Sequence, residues 1–413
     1  MNGSALRLEL QCPQCGAPLT LQETERLLRC SFCRVRHIVS AHPHACLYLP
    51  PRYGREEPIY VPYWRFKGTA FALDRGRLAH RLVDATRVAH PADNLPFSLG
   101  LRVQTQTLRF VEPKTEGSFL APHVSRREIV EAMSSRLLGL ESSLERKGLL
   151  QTHVGEVASL VFAPLAMEEG AVFDGLSGKR LSGLQPQALQ SAEQAESISY
   201  PEFLPALCPY CGWDLAGARD SLVQFCSGCN RVWAARGGKL AEVRARFLPP
   251  SGKEKPLYLP FWELEIQGEK LGLQRRADLL RLANDVRAAG PQPKDEPAAC
   301  RIPAFKIRPR LFLRLASQMT LAPGFDELAN TPQRGKYYPV TLSRDEALEA
   351  LTPVVGHLAA DKESVFPLLV QESFQLGSSR LLFLPFSRQN PDYVQPRLNI
   401  GLPGNALYFA RSL

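Results

Sequence analysis

The sequence lacks long apolar segments. No stretch approaches the ~18 uninterrupted apolar residues typical of a membrane-spanning helix. Positions 1–11 contain no apolar core of the kind that a secretory signal peptide needs. We therefore expect a cytoplasmic protein with no transmembrane segment, and contact with a membrane surface stays open.

The sequence also lacks the short motifs that identify common enzyme classes. It contains no Walker phosphate-binding loop, no G-x-G-x-x-G after a strand, no G-x-S-x-G elbow and no H-E-x-x-H. Catalytic groups converge in space rather than in sequence, so an enzyme of unrecognised type remains an alternative. Asp174 is one candidate carboxylate, but Asp-Gly is first a turn signal. The sequence favours a non-enzymatic protein.

Length and composition indicate a multidomain globular protein. The 413 residues exceed one ordinary core, and a prior of roughly 150 residues per domain suggests two to four domains. The contents of 45% hydrophobic and 22% charged residues are near globular averages. The formal charge of +9 permits attraction to nucleic acid or acidic lipid without requiring either.

Eight of the ten cysteines form two quartets with the same spacing, C-x₂-C-x₁₄-C-x₂-C, and with Pro after the first cysteine and Gly after the second. The quartets are Cys12, Cys15, Cys30 and Cys33, and Cys208, Cys211, Cys226 and Cys229. Reduced cysteine pairs in the cytoplasm are more often metal ligands than disulfides. Four thiolates suit tetrahedral Zn²⁺ and leave no open position for a substrate. We predict two structural Zn²⁺ ions, with another thiolate-bound metal or a redox role as alternatives.

The remaining cysteines and nearby histidines have no counterpart in the other half. His37, His42 and His44 follow the first quartet, and together with Cys46 they suggest a further metal site. The second half offers no matching histidines, so we interpret these as surface or packing residues. Cys46 and Cys300 are predicted to be small buried hydrophobic residues.

The similarity between the two halves extends beyond the cysteines. Four residues recur at a constant offset of 198 positions: Pro58, Tyr60, Pro62 and Trp64, and Pro256, Tyr258, Pro260 and Trp262. Further along, Ser125 and Glu128 match Ser343 and Glu346. Motifs in the same order predict a tandem repeat. The predicted fold class is α+β, with two similar lobes that each contain a Cys₄ zinc ribbon followed by a β-rich domain with at least one packed helix.

The repeat predicts the domain boundaries. The sequence between the halves is rich in Gln, Ala, Ser and Glu and has no sustained strand pattern, which is typical of a linker. The predicted units are zinc ribbon 1 at 1–46, β-rich domain 1 at 47–180, a linker at 181–207, zinc ribbon 2 at 208–246 and β-rich domain 2 at 247–413.

Local patterns predict the elements around these motifs. The Tyr-x-Pro-aromatic-Trp segments are predicted strands with Pro at an edge or entry point, and Trp64 and Trp262 are predicted core residues. The Ser-x-x-Glu pairs are predicted capping boxes at helix starts. The first helix has an apolar face, and the second should falter before Pro353. That first apolar face comprises Ile129, Val130, Met133, Leu137 and Leu140.

Three further segments carry structural predictions. The segment at 305–315 alternates apolar and basic residues and is predicted to be a half-buried strand. Its apolar face comprises Phe305, Ile307, Leu311, Leu313 and Leu315, and its basic face Lys306, Arg308, Arg310 and Arg314. The segments 174–178 and 401–404 are predicted turns that join two strands.

The combination of a Cys-x-x-Cys ribbon, a "YVPYW" or "YLPFW" segment and a Ser-x-x-Glu helix start resembles a group of poorly characterised bacterial zinc-ribbon proteins. That group carries a Tyr-x-Pro-aromatic-Trp-like signature in a β-rich segment, and some members are compared with transcription or helicase zinc ribbons. The resemblance implies zinc ribbons and a β-rich fold. It implies no known reaction.

These observations lead to three hypotheses. The leading one is a non-enzymatic zinc-binding adaptor or scaffold that presents two similar lobes to a protein partner or a multi-subunit complex. The first alternative is a nucleic-acid-binding zinc-ribbon protein, because the basic face at 306–314 could follow phosphates. The second alternative is an enzyme, or a subunit of one, of unrecognised type.

Overall fold

The computed structural model describes residues 6–40, 44–74, 76–100, 102–125, 128, 150–196, 198–252, 255–289 and 296–410. It has a mixed α+β fold that is rich in strands and has few helices. His42 and the predicted apolar helix face at 129–140 lie outside the described residues.

The first half is built mainly from strands. In chain order its elements are β1 Arg7–Gln11, β2 Pro18–Gln22, β3 Leu27–Arg29, β4 Arg36–Ser40, β5 Ala45–Tyr48, β6 Ile59–Asp74, β7 Arg77–Val88, α1 Arg102–Thr105, β8 Thr107–Phe110, β9 Ser118–Phe119, β10 Leu150–Glu168, β11 Ala171–Asp174 and α2 Pro186–Gln190.

The second half adds more helix to a similar set of strands. Its elements are β12 Glu202–Pro205, β13 Leu215–Ala216, β14 Val223–Cys226, β15 Val232–Arg236, β16 Lys239–Glu242, β17 Ala245–Phe247, β18 Leu257–Gln267, α3 Arg276–Leu282, a 3₁₀ turn Val286–Ala289, β19 Ala299–Pro303, α4 Pro309–Leu321, β20 Lys336–Tyr337, α5 Arg344–Glu349, α6 Leu351–Leu358, α7 Lys362–Val370, β21 Gln375–Gln389, β22 Asp392–Gln395, β23 Ile400–Leu402 and α8 Gly404–Ala410. In the described parts of the chain no helix is long and apolar enough to cross a membrane.

Each half has a large sheet arranged around one long antiparallel pair. In the first half the order is β2-β1-β8-β5-β10-β6-β7, with β11 paired to β10 and β9 paired to β6. In the second half the order is β19-β18-β21-β22-β23, with β17 paired to β21 and β20 paired to β18. The strand that follows the ribbon, β5 or β17, runs parallel to β10 or β21 respectively. Two small sheets, β12-β4-β3 and β13-β14-β15-β16, contain the remaining strands around the two quartets.

The two Tyr-x-Pro-aromatic-Trp segments form strands as predicted, in β6 and β18. Both strands pair on both sides, so the edge alternative was wrong, while Pro58 and Pro256 directly precede the strands, in agreement with the entry-point alternative. Pro62 and Pro260 within the strands each lie just beyond the end of one neighbouring strand, because β7 ends opposite Tyr63 and β19 ends opposite Phe261. A missing N–H is tolerated there because no partner strand needs it.

The tryptophans hold the same contacts in both halves. Trp64 and Trp262 are each 6% exposed, which confirms their prediction as core residues. The indole N–H of Trp64 donates to the Val124 carbonyl at 2.8 Å, and that of Trp262 donates to the Leu342 carbonyl at 2.9 Å. These carbonyls directly precede the two capping-box serines.

The capping-box hydrogen bonds are present at both predicted helix starts. The amide of Ser125 donates to the Glu128 carboxylate at 2.8 Å, and the amide of Ser343 donates to the Glu346 carboxylate at 2.6 Å. In the second half this box begins α5. That helix ends at Glu349, and α6 begins at Leu351 with Pro353 in its first turn, where a proline costs no hydrogen bond.

The tyrosines of the two motifs also have matched surroundings. Tyr60 stacks on Phe119 with ring centroids 4.5 Å apart, and Tyr258 stacks on Tyr337 at 4.9 Å. In each half a glycine lies against the tyrosine ring. A Cβ on Gly117 or Gly335 would stand 2.8 Å from that ring. The short strands β9 and β20 therefore approach the long strands closely.

The hydrophobic core joins the halves. The first-half sheet packs apolar side chains on both faces. The largest cluster lies in the second half, and it also contains Phe71, Leu73 and Val154 from the first half. A Cβ on Gly356 of α6 would stand 2.7 Å from the Leu73 side chain. The far end of the long β6-β10 pair thus packs on second-half helices.

The prediction of a strand at 305–315 was wrong, because the chain forms α4 from Pro309 onward. Pro309 has the fixed φ that favours the first helical position. The buried residues of α4 recur with a helical period: Phe312, Leu313, Leu315, Ala316 and Met319. Arg310 and Arg314 are therefore on the exposed side of a helix, and the row of basic strand residues does not exist.

Two other segments have more structure than their sequences suggested. The predicted turn at 401–404 was wrong: Gly401 and Leu402 end β23, and Gly404 begins α8. The stretch 181–207, expected to be a linker, contains α2 and β12 and buries Leu184 and Leu189. Alternation and turn signals missed these elements because tertiary pairing creates them.

Candidate metal centres

Each quartet lies on two tight turns with the same hydrogen bonds. In the first turns, Gly16 donates its N–H to the Cys12 carbonyl and Gly212 donates to that of Cys208, both at 2.8 Å. In the second turns, Arg34 donates to Cys30 at 3.1 Å and Asn230 donates to Cys226 at 3.0 Å. The four donors all have positive φ, between 62° and 74°. Glycine and asparagine adopt this conformation most readily, so Arg34 is the strained member.

The turns bring the four sulfurs of each quartet together. The Sγ–Sγ distances are 3.7 Å for Cys12–Cys33 and 3.7 Å for Cys15–Cys30. In the second quartet they are 3.6 Å for Cys208–Cys229 and 3.4 Å for Cys211–Cys226. All four ligand atoms of each group lie within 4.8 Å of one another. Zinc–sulfur bonds of about 2.3 Å give a tetrahedron with edges of about 3.8 Å, so the residues fit such an ion.

The surroundings shift the pKa values of the thiols in different directions. The backbone N–H of Cys33 lowers the pKa of Cys30 to about 6. Burial opposes ionisation of Cys208, but the backbone N–H groups of Cys211 and Tyr210 lower its pKa to about 7. The Val35 backbone N–H lowers the pKa of Cys33, yet burial and the neighbouring sulfurs raise it to about 12. In the first quartet the Cys30 thiol ionises readily and the Cys33 thiol resists ionisation, so a cation is needed to hold four thiolates together.

The two groups have the same pattern of exposure. The first and third cysteine of each group are buried, the second is exposed and the fourth is intermediate. Cys12, Cys30, Cys208 and Cys226 therefore connect each centre to the protein interior. Cysteine would occupy all four coordination positions of a tetrahedral ion, which leaves none for water or a substrate.

The two ribbons pack against each other. Strand β12, just before the second quartet, pairs with β4 after the first quartet, from Glu202↔Ser40 to Pro205↔His37. The amides of Arg26 and Leu27 donate to the Arg219 carbonyl at 2.6 and 2.9 Å. An apolar cluster fills this interface: Leu27, Ile38, Ala206, Cys208, Leu215, Cys226 and Trp233. The two centres therefore share one packed unit.

The other candidate ligands are not brought together. Within the described chain the only groups of three or more metal-ligating side chains are the two quartets. His37 is buried in β4 and His44 packs on Trp64 with ring centroids 4.7 Å apart, in agreement with packing roles. Cys46 and Cys300 are buried as predicted, and burial raises their pKa to about 11 and about 12.

Asp174 holds a turn, as its sequence context predicted. Its carboxylate accepts the backbone N–H groups of Leu176 at 3.0 Å and Ser177 at 2.9 Å. These bonds stabilise the turn after β11. They leave Asp174 as a structural residue and give no indication of acid–base chemistry.

Sequence reasoning missed two buried charge clusters. Arg65 is 1% exposed and binds Glu23 and Asp84. At the equivalent position, directly after the tryptophan, Glu263 is 6% exposed. Its partners are Arg301 at 2.8 Å and Arg380 at 2.6 Å. The signal in the sequence was a charged residue inside an apolar strand, repeated at the offset of 198 with opposite sign.

Arg301 has a second role in its cluster. Its guanidinium donates to the carbonyls of Met319, Ala322 and Pro323 at 2.9–3.1 Å, at the end of α4. A cation there satisfies the last carbonyls of the helix. The cluster therefore ties a helix end to the central strand, with its charges paired to one another.

The structure thus brings together the eight predicted metal ligands, and among the described residues no other candidate joins them. No protein-family model matches this chain, and no significant match was found among curated proteins or solved structures.

Proposed function

We propose that the protein is a non-enzymatic zinc-binding adaptor or scaffold, in which two similar lobes present surfaces to a protein partner or complex. The observation that carries this proposal is the pair of closed four-cysteine groups with tetrahedral sulfur spacing. Closed thiolate sites hold Zn²⁺ as a structural ion. Zinc would fix the turns of each ribbon, which has too little core to hold them alone.

Matched contacts in both halves support the two similar lobes. The tryptophan hydrogen bonds, the tyrosine stacks and the capping boxes all recur at equivalent positions. The parallel pairing of β5 with β10 and of β17 with β21 recurs as well. These contacts support descent of both lobes from one repeated unit, with the ribbon at the front of each.

The metal-binding thiols support a cytoplasmic location, and the structural roles of the buried charges support the choice of an adaptor. We place the protein in the cytoplasm, where reduced thiols remain available as ligands. Asp174 and the buried charges stabilise the fold, so an adaptor is favoured over an enzyme. The nucleic-acid alternative was based on a row of basic residues along a strand, but Arg310 and Arg314 lie in a helix.

Metal analysis tests the zinc centres. We expect purified protein to contain two zinc ions per chain, measured by inductively coupled plasma mass spectrometry against protein concentration. The Cys12→Ser and Cys208→Ser variants should each contain one ion fewer. A Cys46→Ser variant is the control, since Cys46 lies outside both quartets, and it should keep two. Wild-type protein with less than one metal ion of any kind would refute the centres.

Affinity purification from the native cells tests the adaptor role. The full chain should enrich a reproducible set of proteins, and quantitative mass spectrometry should show that Cys15→Ser and Cys211→Ser each deplete part of it. These two residues are equivalent and exposed, so the variants perturb one ribbon at a time. The adaptor proposal fails if the wild-type chain enriches nothing beyond Cys15→Ser/Cys211→Ser.

A further inference from the structure

Three large aromatic side chains project from the metal-binding turns. Phe32 is 69% exposed, Tyr210 is 65% exposed and Trp213 is 61% exposed. Each lies within or directly beside a Cys-x-x-Cys turn. Backbone hydrogen bonds close these turns, so the backbone that carries the rings loses little conformational freedom when a ligand covers them.

These aromatic residues occur on two of the four turns. Phe32 belongs to the second turn of ribbon 1, while Tyr210 and Trp213 belong to the first turn of ribbon 2. The other two turns, "CPQCGA" and "CSGCNR", contain no aromatic residue. The aromatic residues are therefore not a property of the repeated ribbon.

The two aromatic turns are the ones that the fold places side by side. The β12-β4 ladder continues past Pro205↔His37, because the Ala206 amide donates to the Arg36 carbonyl at 3.1 Å. The guanidinium of Arg36 also binds the carboxylate of Asp214 at 2.7 Å. Ala206 lies two residues before Cys208, and Arg36 lies three residues after Cys33. We call the surface formed by Phe32, Tyr210 and Trp213 the knuckle surface.

Arginines surround the knuckle surface. Arg29 and Arg34 flank Phe32, are exposed and have no acidic partner among the described residues. The guanidinium of Arg231 lies 3.8 Å from the centroid of the Tyr210 ring and binds Glu242 at 2.6 Å. Flat rings interleaved with unpaired cations are the combination that binds unpaired bases and their phosphates.

We propose that the knuckle surface binds single-stranded nucleic acid by stacking bases on Phe32, Tyr210 and Trp213, with Arg29 and Arg34 contacting phosphates. This activity goes beyond the adaptor role and does not depend on it. An acidic protein segment would satisfy the arginines but would not need three separate flat rings. Duplex nucleic acid hides its base faces, so the surface selects single strands.

The expected binding is modest and depends on salt. Two unpaired arginines neutralise about two phosphates, so the log–log dependence of affinity on salt should have a slope of about −1.4 for single strands. Stacking should contribute most of the remaining affinity and should be insensitive to salt. It should also show little base sequence preference, because every base has a flat face.

Fluorescence gives a direct readout of stacking. The chain has four tryptophans, and Trp213 is 61% exposed while Trp64, Trp233 and Trp262 are 6–7% exposed. Titration of the zinc-loaded full chain with dT20 or U20 should quench tryptophan emission, and anisotropy of a labelled oligonucleotide should rise in parallel. The two oligonucleotides distinguish DNA from RNA, and a 20-base-pair duplex should bind at least tenfold more weakly.

Variants locate the site. Phe32→Ala, Tyr210→Ala and Trp213→Leu should each raise the dissociation constant by roughly 5- to 150-fold. Arg29→Glu/Arg34→Glu should remove most of the salt dependence. Tyr408→Ala and Arg388→Glu are the controls, because both residues are exposed and lie in the C-terminal part of the chain, and they should bind like wild type. Unchanged zinc content and circular dichroism show that each variant is folded.

Three results would overturn the proposal. The first is binding that the three aromatic variants leave unchanged. The second is equal affinity for duplex and single strands, which would indicate electrostatic attraction alone. The third is absence of oligonucleotide binding together with binding of poly-glutamate, which would identify an acidic polypeptide as the occupant.

Discussion

At the scale of single residues, the two halves differ in the sign of a buried charge. Arg65 and Glu263 occupy equivalent strand positions with opposite sign, and each has partners of the complementary sign. A buried ion needs partners, because its desolvation costs several kcal/mol in the absence of compensation. Each half therefore supplies partners of the sign that its own buried charge needs.

The Glu263 cluster offers a matched pair of substitutions. Arg301→Ala should lower the free energy of unfolding by about 3–5 kcal/mol, because it leaves Glu263 buried and less compensated. Arg380→Ala should cost less than about 1 kcal/mol, since the Arg380 side chain is 39% exposed. Urea unfolding followed by circular dichroism measures both. Equal costs for the two variants would contradict the assignment of Arg301 as the dominant partner.

At the scale of elements, matched close contacts hold short segments against the long strands. Gly335 precedes β20 and its missing side chain gives room to the Tyr258 ring and the Pro256 carbonyl. Gly117 plays the same part beside Tyr60 and also has φ of +114°. Close backbone approach, rather than turn flexibility, explains the glycine at position 335.

Substitution of these glycines should move the short strands away. Gly335→Ala should destabilise the protein by about 1–3 kcal/mol through overpacking against the ring and the carbonyl. Gly117→Ala should cost more, because its positive φ adds backbone strain. Gly401→Ala is the control, since a Cβ there meets nothing within 4 Å. Differential scanning calorimetry should show lower Tm values for the first two variants only.

The helix start at Ser343 can be tested separately. Ser343→Ala removes the acceptor of the Glu346 amide, which lies 3.2 Å away. We expect a loss of about 1 kcal/mol in the free energy of unfolding, measured by urea titration. Ser343→Asp should restore most of it, because aspartate is also a good cap. A Ser343→Ala variant with wild-type stability would show that the cap contributes nothing.

At the scale of the whole molecule, two apolar clusters contain residues from both halves of the chain. The apolar cluster between the ribbons includes the metal ligands Cys208 and Cys226 together with Leu27 and Ile38 of the first ribbon. Long first-half strands pack on second-half helices. The two halves of the chain therefore share buried apolar clusters, and a chain cut between them would expose those clusters.

This arrangement predicts coupling between the two metal centres. Cys30→Ser should abolish the first centre and also speed chelator-induced zinc release from the second, because the interface that buries Cys208 and Cys226 loosens. Zinc release to a coloured chelator, followed in a stopped-flow spectrophotometer, measures the rate. Cys300→Ser is the control, since Cys300 belongs to neither quartet and is not part of the cluster between the ribbons. Identical release rates in wild type and Cys30→Ser would exclude coupling.

The sequence by itself determined the local features of this protein. The cysteine spacing predicted which eight sulfurs meet, because each Cys-x-x-Cys pair lies on one tight turn and the two pairs of a quartet are close in sequence. The Ser-x-x-Glu boxes and the aromatic strands were also predictable, since capping and strand propensity depend on neighbouring residues.

Only the tertiary structure decided how distant segments meet. Alternation at 305–315 suggested a strand, but burial against the sheet selected the helical period of α4. The buried charges of Arg65 and Glu263 are stabilised by partners from other segments of the chain, which only the tertiary structure identifies. The pairing of β12 with β4 set the two aromatic turns side by side. Such long-range pairing has no local signal in the sequence, because its free energy comes from contacts between residues far apart in the chain.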